Sequence, residues 1–274
     1  MDLPRSTPRV GARLAALLAL AAFTALAGCA ALAPAPDAHV PPFARVPYEP
    51  FSRDAAIGVA LREWRAFGSR IDDAPPDPER DMPSDATPER TSGLWQRVGE
   101  YWWLGQDAGS RESRWTGRHD ARGAVFPPEE DARYAWSAAF VSYVMRIAGA
   151  RDGFPYAASH ATYVNAALTD PEGLRIRAER PEEYPPQPGD LICMGRDRSK
   201  GIRFDDLPAD FAGHCDLVVE AMPGSLTVVG GNVGDSVTLK HVPVTDSGTL
   251  ATPDGRVLDA RYPWFVVIRV LYDR

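Results

Sequence analysis

The order of patterns along the chain predicts an α+β protein. Segments with helical apolar spacing come first, and from Pro186 onward short β-rich runs separated by Gly, Pro and Asp take over. No internal repeat and no glycine-rich phosphate loop interrupts this order. The 274 residues allow one or two domains at about 100–200 residues each. Hydrophobic residues at 45% and charged residues at 24% are an ordinary globular mixture, whereas 26 clustered prolines imply long loops and linkers. A formal charge of −7 argues against holding nucleic acid through its phosphates.

Met1 to Ala27 reads as an export signal, with Arg5, Arg9 and Arg13 before the apolar run Leu14 to Ala25. That run is too short for a membrane span. It ends in Leu26-Ala27-Gly28-Cys29, which resembles the bacterial lipobox. The resemblance implies cleavage before Cys29, lipid on Cys29 and, with Ala30 next, attachment to the outer membrane facing the periplasm. Residues 29–50, with six prolines, read as an extended tether. Residues 51–274 then form the folded part.

Within that part, Ala56, Val59, Ala60, Trp64 and Phe67 behind Ser52 predict a first amphipathic helix. Ile71 to Arg90, rich in Pro, Asp and Glu, is expected to be an exposed loop. Ser92 is the expected cap of a second helix carrying Leu94, Trp95, Val98, Tyr101 and Trp102. The tryptophans there fit a core better than a sugar platform. The strongest pattern, Ala135 to Ala148, predicts a third helix with Gly149 ending it and Ser137 at the head of its apolar stripe. A fourth starts near Ser159 and includes Tyr163, Val164 and Ala167. Strands are expected at Leu191 to Met194, Cys215 to Ala221, Leu226 to Val229, Ser236 to Val242 and Trp264 to Tyr272.

Three segments and a turn carry potential chemistry: Trp136-Ser137-Ala138-Ala139-Phe140-Val141-Ser142, Pro188-Gly189-Asp190-Leu191-Ile192, Gly213-His214-Cys215-Asp216-Leu217-Val218-Val219 and Gly230-Gly231-Asn232. Their order resembles the papain-like cell-wall amidases of the CHAP and NlpC type, and more closely the bacterial family called domain of unknown function 2272. The resemblance implies a papain-like fold, with helices packed on a small antiparallel sheet, and cleavage of an amide bond in peptidoglycan peptides. It also implies a nucleophile at position 137, a base at His214 and an orienting residue at Asn232. This chain departs from the amidase motif at its central atom, for the cysteine is replaced by Ser137.

A serine needs its proton removed during attack, which a neutral, well-oriented histidine can do. Asp216, two residues from His214 on one face of a strand, is a rival to Asn232 as the orienting group. Trp136 and His160 are expected to contact substrate. Cys193 and Cys215 fall on neighbouring strands, which permits a disulfide in an oxidising compartment. Cys215 points away from His214 and is a poor substitute nucleophile. No metal-ligand spacing is present, and no cofactor is expected. The competing reading is a domain that has lost catalysis and binds peptidoglycan or a periplasmic protein. In that reading Ser137 is only a helix-start residue and Asn232 only a turn residue.

Overall fold

The computed structural model describes residues 50–76, 84–106, 109–169 and 172–272. The leader, Cys29 and all but the last residue of the expected tether lie outside the described residues. Among the described residues there are four α-helices: α1 (Arg53–Ala66), α2 (Leu94–Gly105), α3 (Ser137–Ile147) and α4 (His160–Thr169). Six strands follow: β1 (Ile176–Glu179), β2 (Leu191–Gly195), β3 (Gly213–Met222), β4 (Ser225–Gly230), β5 (Thr238–Pro243) and β6 (Trp264–Val270). They form one antiparallel sheet in the order β1-β6-β2-β3-β4-β5. The α+β class is therefore as the sequence predicts.

Ser52 caps α1, its Oγ accepting from the Ala55 N–H at 3.3 Å. The expected cap of α2 shifts by one residue, because Gly93 takes a positive φ of 90° and its N–H donates to the Gln96 side chain. Residues Ser137 to Met145 of α3 are all buried, because α3 is packed against α1, α2, β3 and β4. Each large apolar side chain buried there contributes roughly 1.5–3 kcal/mol. Strand β1 was not expected. Its four residues include a single buried one, Ile176, too short a pattern to register.

Of the stretch expected to be an exposed loop, the described residues 71–76 and 84–88 are exposed or half-buried, and only its end departs from the expectation. The stretch ends in a 3₁₀ turn, Pro88–Arg90, whose Glu89 and Arg90 are 3% and 2% exposed. Arg90 is held by Asp131 at 2.7 Å and by the Phe126 carbonyl at 2.6 Å, and Glu89 accepts the Trp136 indole N–H. Partners distant in sequence draw these charged residues inward, and no local pattern signals that.

Both faces of the sheet are covered, so its central strands read as continuous apolar runs. One face, with Cys193, Cys215, Leu217 and Val229, joins the helical core. The other, with Met194, Val218, Val228 and Val242, packs with Leu250, Tyr262 and Trp264. On β3 the alternation places His214, Asp216 and Val218 on this second face. Cys215 lies on the helix face, bonded to Cys193 directly across the β2–β3 ladder.

Candidate active site

Ser137 opens α3 and His160 opens α4, and their side chains meet: Oγ lies 2.7 Å from His160 Nε2. The two helix starts are joined by Ser142, whose Oγ accepts from the Ala157 N–H at 3.2 Å, three residues before His160. His160 Nδ1 bonds in turn to the Tyr163 hydroxyl, one helical turn on. Trp136, at the N-cap of α3, makes no side-chain cap hydrogen bond, which leaves the first-turn N–H groups uncapped by its side chain.

A second cluster stands beside the first. His214 Nε2 lies 2.8 Å from Asp216 Oδ1, and Lys240 Nζ lies 2.6 Å from Asp216 Oδ2. All three residues are at most 2% exposed. The rings of His160 and His214 are 5.6 Å apart, centre to centre. Thus Ser137 pairs with His160 and not with the expected base, His214. The physical reason is the strand alternation on β3, which puts His214 on the sheet face opposite α3.

Burial pushes the His160 pKa well below its ordinary value, with His214 and Arg196 acting in the same direction. Burial also lowers His214, against the opposing pull of Asp216. For Asp216, burial works upward, but the Lys240 ammonium and His214 outweigh it and hold the carboxyl below the usual carboxylate range. Both imidazoles are therefore neutral at neutral pH, and Asp216 is ionised.

Two adjoining cavities reach these clusters. The larger, of about 460 Å³, is lined by Ser137, His160, Phe211 and Asp235, and the smaller, of about 220 Å³, by Met194, His214, Lys240 and Tyr262. Arg196 and Asn232 line both. Asn232 holds a left-handed φ of 57° in the turn after β4, and its side chain bonds to neither histidine. Trp136 is 1% exposed and lines neither cavity, since its ring packs on Phe67 and Tyr101. His160, expected only to contact substrate, is the residue that touches the serine.

Sequence reasoning did not single out Tyr163, Lys240, Arg196 or Glu89. The i,i+3 spacing of His160 and Tyr163 on one helix face was the available signal for the first. Nothing local signals the others.

The family model described as "Uncharacterized protein conserved in bacteria (DUF2272)" matches residues 89–270. The chain belongs to this family. The DUF2272 span holds Ser137, His160 and Tyr163 as well as His214, Asp216 and Lys240, and it begins at Glu89. No curated protein and no solved structure matches the chain.

Proposed function

We propose that this DUF2272 protein is a cell-envelope hydrolase that cleaves an amide bond by a serine mechanism, with Ser137 as nucleophile and His160 as base. The observation that carries the reading is the 2.7 Å contact of Ser137 Oγ with His160 Nε2 at the start of a helix, on the wall of a cavity. A buried neutral imidazole is the form a general base needs. With Nε2 accepting the serine proton, Nδ1 carries the other hydrogen and donates it to the Tyr163 oxygen.

In the reaction Ser137 Oγ attacks the carbonyl carbon as its proton passes to His160 Nε2. The oxyanion is met by first-turn N–H groups of α3. The C–N bond then breaks, the amine leaves with the proton from His160, and an acyl-Ser137 ester remains. Water attacks this ester with His160 again acting as base, which frees the acid and restores Ser137. The mechanism requires no metal or cofactor.

Peptidoglycan peptides are the proposed substrate, on the likeness of Trp136–Val141 and the following motifs to papain-like wall amidases. The same likeness supports a papain-like arrangement of α3 on the sheet. An outer-membrane lipoprotein facing the periplasm is supported by the lipobox-like Leu26–Cys29, and the Cys193–Cys215 disulfide suits an oxidising compartment. The second reading, a binding module without catalysis, draws on the serine that stands where the likeness expects cysteine.

Digestion of purified sacculi, with released fragments weighed by mass spectrometry, tests the proposal. Release is expected from the parent chain, to fall without vanishing in His214→Ala, and to be lost in Ser137→Ala and His160→Ala. No release by the parent, with release by Ser137→Cys, would support a decayed cysteine site acting as a binding module.

A further inference from the structure

The two cavities differ in charge. The larger is lined by Asp131, Asp197 and Asp235 against one cation, Arg196. The smaller is lined by Arg196, Lys200, Lys240 and Arg261 against Asp72 and Asp197. Lys240 and Arg261 are held by Asp216 and Asp259, which leaves Arg196 and Lys200 facing Asp72 and Asp197, and in the larger cavity Asp131 is held by Arg90. Among the described residues no carboxylate pairs with Arg196, which stands where the cavities join. The smaller space is also below the 300–1,000 Å³ of common small-molecule pockets, and about right for one amino-acid residue.

His214 adds a second, independent feature. Its Nε2 hydrogen goes to the ionised Asp216, so Nδ1 is left as an acceptor. That atom is buried and has no hydrogen-bond partner. A buried acceptor without a donor is unfavourable, and an N–H group on a ligand would satisfy it. The His214 ring is 5.6 Å from the His160 ring, less than two residues of extended chain at about 3.3 Å each.

From this guanidinium and this acceptor we infer that the smaller cavity is a subsite for the last residue of a peptide, its free α-carboxylate on Arg196 and an N–H of the peptide on His214 Nδ1. Chain direction puts such a residue on the leaving side of the bond that Ser137 attacks, so the product released first is a free amino acid. The inference rests on the hydrolase reading for the position of the bond cut, whereas the subsite itself is a matter of binding.

Binding is therefore measured on the full chain, purified in detergent, carrying Ser137→Ala. The probes are N-acetyl-alanyl-alanine and its C-terminal amide, each in L,L and D,D forms, titrated to millimolar concentration in a calorimeter. At least one acid is expected to bind about tenfold or more tighter than its amide. Arg196→Gln is expected to abolish this preference, and Arg198→Gln, on an exposed position outside both cavities, to keep it. Equal affinity for acid and amide, no binding of either, or a preference that survives Arg196→Gln overturns the subsite. Alanine release by the parent chain is followed in parallel: selective binding without release leaves the subsite standing and counts against the hydrolase.

Discussion

Ser137 is reactive only insofar as His160 is neutral, and the surroundings of His160 keep it neutral. An exposed histidine takes up a proton near 6.5, but burial lowers the His160 pKa well below that. A base with a lowered pKa stays competent as pH falls. The acid limb of kcat/KM is accordingly expected below pH 6.5, where a free imidazole would already be protonated. A profile that breaks at or above that value would rule out buried His160 as the base. Glu89 presents the opposite case. Burial first, and the charge of Asp235 next, push its carboxyl up to about 9, so it is neutral where it accepts the Trp136 N–H. The folded chain keeps that proton between 4.5 and about 9 while the unfolded chain loses it, so this group's contribution to stability declines as pH rises through the window. Glu89→Gln keeps the acceptor and removes the titration. Relative to the parent, it is expected to gain on the order of a few kcal/mol from pH 4 to pH 8 in denaturant unfolding. A pH-independent difference would contradict a protonated Glu89.

Strand and helix geometry decide which side chains meet. The third helix and the β2–β6 strands were legible because a buried helix and buried strands impose strong apolar periods. Strand β1 and the Pro88–Arg90 turn were not, since one is short and the other is charged. The site divided in the same way. Ser137 and His160 are visible as helix-start residues, and Asp216 as a same-face neighbour of His214. Lys240 was hidden, because a lysine in a strand is ordinarily at the surface. Its burial follows from β5 lying beside β4, across which it reaches Asp216. Gly230, at the end of β4, makes room for this cluster, for a Cβ there would lie 1.8 Å from Asp216 Oδ1 and 3.0 Å from His214 Nε2. Gly230→Ala is expected to force the His214–Asp216 pair apart, at a cost of about 1–3 kcal/mol in unfolding free energy, and to shift the His214 ring signals in NMR spectra. Unchanged signals and stability would show that the pair tolerates displacement.

At the scale of the whole molecule, the disulfide ties the sheet together beneath α3. It spans a sequence separation of 22 residues, for which loop entropy predicts about 3 kcal/mol of stabilisation. Cys193→Ala with Cys215→Ala is expected to lower the unfolding free energy by about that amount. An unchanged denaturation midpoint would mean that the bridge adds little to the folded chain. The sequence by itself determined the α+β order, the helix carrying Ser137, the strand carrying His214 and Asp216, and the family motifs, because each is written in local spacing. Only the tertiary structure decided which histidine reaches the serine. Alternation along β3 is the same whichever face meets the helices, and the face is chosen by packing: Cys215, Leu217 and Val229 join the helical core, so His214 turns away from α3 and His160 comes to Ser137.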